Sequence, residues 1–143
     1  MKRVFILFAL SLLVLSPLVS SQAMACRCTN PGPKNAYARA DAVVLVRIKA
    51  VEQVQEEVAR METEVIQSWK SKAAEETNTL AVFSETSACS YVGKEGETHL
   101  LYLNKYSGPP EGFWTGNCKG DLPESHPQAA KHIQWLNRHG RKM

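Results

Sequence analysis

The apolar positions of this chain are distributed in two ways. From Val4 to Leu15 they form an almost unbroken run, preceded by Lys2 and Arg3; beyond it they are spaced. Ala42 to Val51 (AVVLVRIKAV) is rich in β-branched residues and sets Val44, Val46 and Ile48 against Leu45, Arg47 and Lys49. That period of two predicts a strand. Glu52 to Glu57 reads as a polar hairpin tip. Val58 to Lys70 carries Met61, Thr63, Val65 and Gln67 against Glu62, Glu64, Ile66 and Ser68, a second long strand ending near Trp69. A helix from Val51 to Trp69 competes with it, since Glu, Gln, Ala and Arg are good helix formers. Ser71 to Thr77 reads as a charged loop. Leu80 to Ser84 and His99 to Asn104 are further strands, with a turn at Gly93 to Gly96. Lys105 to Gly112 (KYSGPPEG) is a long turn, Phe113 to Cys118 a fifth strand, and Gly120 to Pro123 the end of the sheet region. His126 to His139 spaces Ala129, Ala130, Ile133, Trp135 and Leu136 as a helix does, with Pro127 in its first turn and Gly140 as its stop. Upstream, Thr29 to Lys34 is a rigid connector and Asn35 to Asp41 a short helical turn. No internal repeat is visible.

The initial run changes the picture of the whole. Ala23-Met24-Ala25 forms an A-x-A cleavage signal after the apolar stretch, so residues 1–25 read as a signal peptide and 26–143 as one exported domain, secreted or periplasmic. The run is short of the ~20 residues of a membrane span, and no other transmembrane segment follows. Cleavage leaves 118 residues, enough for one modest core. It also removes two of the 17 Lys and Arg residues and no acid, leaving 15 against 14 and a net charge of about +1. General nucleic-acid binding is therefore not expected. Lys131, Arg138, Arg141 and Lys142 read as a solvated helix face and tail.

All four cysteines lie after the leader: Cys26, Cys28, Cys89 and Cys118. An even number in an exported chain reads as two disulfides. A Cys26–Cys28 bridge would close a strained small ring, so each reaches a distant partner, and two pairings remain open. Loops of roughly 60 to 90 residues give on the order of 4 kcal/mol each in the chain-entropy model. A copper or zinc site on the Cys-x-Cys pair, or a Cys–His catalytic pair from Cys89 or Cys118 with His99 or His126, competes less well. Export favours disulfides, and no orienting third group is evident. The histidines read as solvated or capping residues. Trp69, Trp114 and Trp135 read as core or barrel-end residues, with Phe113-Trp114 beside the Gly-Pro-Pro loop as an alternative binding surface. The chain is not read as an enzyme and no cofactor is expected.

Five strands, a terminal helix and the Cys-x-Cys terminus together predict a mainly β domain, a five-stranded OB-fold-like closed barrel with a C-terminal α-helix. At this point Cys26 to Val51 (CRCTNPGPKNAYARADAVVLVRIKAV) resembles the N-terminal, netrin-like domain of the tissue inhibitors of metalloproteinases. The matching elements are C-x-C, Pro33, Ala36-Tyr37, Ala40-Asp41 and the strand that follows. Ser87-Ala88-Cys89 resembles that family's second cysteine region, and Cys118 precedes the helix as in the family. The resemblance implies Cys26–Cys89 and Cys28–Cys118 bridges. The position of a further family cysteine is Ala38 here, and the animal proteins' second domain has no counterpart, which implies a single-domain, bacterial relative.

The resemblance also implies a mechanism. The α-amino nitrogen and carbonyl oxygen of Cys26 would chelate the zinc of a target metalloendopeptidase, at the position of its catalytic water. Arg27 would enter the specificity pocket, and Cys28, Thr29, Ser87 and Ala88 would line the contact. Animal members usually carry a small hydroxyl residue in place of Arg27. A guanidinium buried unpaired costs several kcal/mol, so the target would need a roomy or acidic pocket. The competing reading is a non-inhibitory envelope binding module, in its sharpest form a lipoprotein acylated at Cys26. Oligomeric state is not legible.

Overall fold

A computed structural model of the chain describes residues 28–71, 76–87, 89–116 and 118–141. The leader read at residues 1–25, together with Cys26 and Arg27, lies outside them. The described residues form six strands and two helices: α1 (Pro33–Arg39), β1 (Ala42–Gln55), β2 (Val58–Lys70), β3 (Thr79–Glu85), β4 (Thr98–Tyr106), β5 (Gly112–Trp114), β6 (Leu122–Pro123) and α2 (Ala129–His139). β1 pairs antiparallel with both β2 and β4, β3 pairs with β2, and β5 joins β3 in parallel and β4 antiparallel. The hydrogen bonds thus close a five-stranded ring, β1-β2-β3-β5-β4 and back to β1, the OB-like barrel that the strand count predicts. Four register irregularities interrupt the β1–β2 ladder. Such bulges bend a strand and sharpen its twist, which ring closure requires.

The ring is filled by one side of each long strand. Val44, Val46 and Ile48 of β1 meet Met61, Val82, Leu101 and Leu103 inside, with Phe113 packed against them. The outer side of β1 is not solvated at its start. Val43 and Leu45 pack with Trp69, Leu100 and Tyr102 against Ala36 of α1 and Leu136 of α2. Both faces of β1 are therefore buried from Ala42 to Val46, and the alternation becomes visible only from Arg47 on.

Several boundaries differ from the sequence reading. The hairpin is longer: β1 runs on to Gln55, and only Glu56 and Glu57 turn. The β1–β2 ladder continues through Glu52–Arg60 and Gln53–Ala59 to Gln55–Val58, and Arg60 lies 3.0 Å from Glu52 and 3.2 Å from Glu62 along these arms. The fifth strand stops at Trp114 instead of Cys118, because Cys118 has a left-handed φ of 66° that no strand accommodates. Leu122–Pro123, expected to end the sheet, instead pairs with His99 and Leu100 as a short sixth strand. α2 begins at Ala129, not His126, because two turns (His126 N–H to Pro123 O, Ala129 N–H to His126 O) precede it. α1 starts at Pro33, where a missing N–H costs nothing. Of the charged loop read at Ser71 to Thr77, residues 72–75 lie outside the described set.

Gly140 does end α2, but with φ −71°, not in a left-handed cap. A Cβ there would lie 2.6 Å from the Leu136 carbonyl oxygen and 3.0 Å from Trp69 Cδ1. Close approach to the Leu136 carbonyl, with the buried indole just beyond it, is what requires glycine.

Candidate functional site

The cysteines place the candidate site at the rim of the ring. Cys28 is bonded to Cys118, with Cα atoms 4.9 Å apart and 90 residues between them in sequence. Cys89 is also disulfide-bonded. Of the residues expected to contact a protease, Cys28, Thr29 and Ser87 are described, whereas Cys26, Arg27 and Ala88 lie outside the described residues. Thr29 and Ser87 are exposed. Ser87 heads a turn in which its carbonyl accepts from both the backbone N–H and the hydroxyl of Ser90. Cys89 and Ser90 line a cleft of about 500 Å³ together with Gly116 and Lys119, from the loop that carries Cys118. The two cysteine regions, far apart in sequence, therefore share one rim.

What fixes this rim is a residue that the sequence does not single out. Asp121 is buried, and its carboxylate accepts hydrogen bonds from the backbone N–H of Tyr102 and the hydroxyl of Thr115. A third donor is the backbone N–H of Gly116. One carboxylate thus ties both ends of the loop that carries Cys118 to β4. Burial pushes the Asp121 carboxyl up to about 6, against the pull of these donors and of Lys119. Gly120 completes the loop with a φ of 104°, and a Cβ there would lie 2.9 Å from that of Ala36. Lys119 reaches back over Gly116, its Nζ 3.5 Å from the Trp114 carbonyl oxygen. Burial holds its ammonium below the usual lysine range, while Asp121, Asp41 and Glu85 act in the opposite sense.

The histidine reading requires correction at two positions. His99 and His132 are each only 3 % exposed, neither solvated nor capping. His99 closes one end of the ring interior. The half-buried Tyr91 phenol, held protonated by desolvation, donates to His99 Nδ1 at 2.6 Å, so Nε2–H donates to Glu97 at 2.9 Å. That bond holds the exposed Glu97 carboxyl below the usual range. Outside the ring, Tyr102 likewise donates to His132 Nδ1 at 3.0 Å, and burial lowers the His132 pKa. Each histidine is an acceptor for a tyrosine phenol, a pairing that only tertiary contact reveals. Among the described residues no group of three or more His, Cys, Asp or Glu is placed to hold a metal ion. No described helix is long and apolar enough to cross a membrane.

Trp69 is fully buried, its indole N–H donating to Asn137 of α2 at 3.1 Å. Trp135 is half-buried against Tyr37 and His139. Trp114 is half-buried too, and with Tyr106 and Pro109 it walls the cleft, so the Phe113-Trp114 surface weighed against a core role is partly open. Comparison of the chain with protein-family models and with curated proteins finds no match.

Proposed function

We propose that the protein is an exported inhibitor of zinc metalloendopeptidases, in which the amino and carbonyl groups of Cys26 chelate the target's zinc. The observation that carries this reading is the Cys28–Cys118 bridge. It fastens the residue two positions after Cys26 to the rim loop whose Gly116 and Lys119 share a cleft with Cys89. A chelating terminus needs such an anchor, because ordering a free segment on binding costs about 0.5–1.5 kcal/mol per immobilised side chain. The chelating nitrogen must be unprotonated, and an α-amino group titrates near ~7.7–8.0, so neutralisation at pH 7 is cheap. Inhibition should therefore strengthen as pH rises from 6 to 8. The Arg27 guanidinium selects for a target whose specificity pocket is roomy or acidic.

The decisive comparison sets protein beginning at Cys26 against a variant with one additional N-terminal alanine, both assayed on a panel of zinc endopeptidases. Inhibition only by the Cys26 form supports the reading. Equal potency of the two, or inhibition by neither, removes it.

A further inference from the structure

The cleft beside the rim has chemistry that the inhibitor reading does not use. Its main wall is Tyr106, the most exposed large hydrophobic side chain among the described residues at 55 %. The ring is nonetheless held in place. A Cβ on Gly108 would lie 2.5 Å from Tyr106 Cε1, so the glycine backbone covers part of the ring as no other residue could. Trp114 meets Tyr106 edge to face with centroids 5.8 Å apart. Trp114 is fixed in turn, its indole N–H donating to the Pro110 carbonyl at 3.2 Å and its ring packing on Phe83 at 5.6 Å. An exposed aromatic ring ordered by its neighbours loses little conformational entropy when a flat ligand settles on it.

The polar groups around this platform narrow the ligand. Lys105 and Lys119 donate and Glu85 accepts, while Asn104, Ser90 and Thr115 already donate to the Arg39 and Ser87 carbonyls and the Asp121 carboxylate and keep their oxygens as acceptors. The charges are close to balanced: Lys105 and Lys119 share the lining with Glu85, and both Glu85 and the buried Asp121 act on Lys119. A strongly anionic or cationic ligand therefore finds no net attraction. A pyranose ring fits the remaining description: its C–H face packs on an aromatic ring, and its rim of hydroxyls both donates and accepts. The cleft volume, about 500 Å³, lies within the range typical of small-ligand sites.

We propose that the cleft between the β4–β5 turn and the Cys89 loop binds a neutral saccharide, with Tyr106 as the stacking platform. This holds whether or not the protein inhibits a protease. The test titrates the whole chain with maltotriose, cellotriose and N,N′,N″-triacetylchitotriose, following tryptophan fluorescence and backbone amide shifts over residues 104–116. Saturable binding of at least one of these is expected. Tyr106→Ala, at an exposed position, should fold and weaken binding about tenfold or more, whereas Tyr106→Phe keeps it within about threefold because stacking survives. The proposal is overturned if none of the three binds saturably, or if Tyr106→Ala binds as the parent does. Tighter binding of trigalacturonate or of an acetylated tetraproline peptide would equally overturn it.

Discussion

Asp121 shows how one side chain can order a rim that carries little regular structure. Its three donors come from β4 and from the loop after β5, so removing the carboxylate orphans buried N–H and O–H groups at about 1–3 kcal/mol each. Asp121→Ala should lower unfolding free energy accordingly in urea titrations. The pH dependence has a definite sign. The folded-state pKa is raised from 3.8 to about 6, so the folded protein holds this proton more tightly than the unfolded chain. The group's stabilising contribution is complete below pH about 4 and is lost as pH rises through 6, a change of roughly 3 kcal/mol. Asp121→Asn cannot ionise, and it should flatten the fall in stability between pH 4 and 7 measured by thermal melts across that range. An unchanged slope would assign the fall to other groups.

At the scale of elements, glycines and one lysine decide how helices meet the ring. Gly140→Ala would push a methyl into the Leu136 carbonyl and the Trp69 ring. Overpacking of that kind costs about 1–3 kcal/mol. Gly32→Ala meets nothing within 4 Å and should change stability by less than about 1 kcal/mol. Chemical denaturation of the two variants side by side checks the contrast; equal effects would mean that α2 relaxes away from Trp69. Lys70, from β2, donates to the Ala40 and Tyr37 carbonyls at the end of α1 and lies 5.1 Å from the centre of the Tyr37 ring. It supplies the C-terminal cation that a helix dipole favours from a distant strand. Lys70→Met should loosen α1 selectively, visible as faster amide exchange over residues 36–40 with the ring amides unchanged.

At the scale of the molecule, closure and cross-linking act together. β5 is only three residues long, yet it joins β3 to β4 and completes the ring. The Cys28–Cys118 bridge ties the chain before α1 to the loop after β5. With 90 residues of separation, the loop-entropy model gives this bridge about 4–5 kcal/mol. Replacing Cys28 and Cys118 together by serine should lower stability by about 2–5 kcal/mol in denaturant titrations. The same variant should lose any inhibition that depends on the Cys26 terminus before it loses the ring. Potency equal to the parent's would separate the bridge from the mechanism.

Strand and helix content is local information, and most of it was legible. β-branched alternation marked β1 and β2, and apolar spacing at 3.6 marked α2, because such periods follow from which face each element buries. Cysteine count and the A-x-A leader predicted a disulfide-bonded, exported chain, but spacing alone left two pairings open; tertiary structure joins Cys28 to Cys118. What the sequence could not carry is everything that depends on two elements meeting. Val43 and Leu45 are buried on the outer face only because α1 and α2 cover it. His99 and His132 are interior because tyrosine phenols reach them. Asp121 gave no motif, and the Tyr106 cleft showed only as the Phe113-Trp114 surface beside the Gly-Pro-Pro loop, because their partners are scattered along the chain from Glu85 to Lys119. Periodicity reports the environment of a residue relative to its own element, whereas a site is set by residues that come together only when the ring closes.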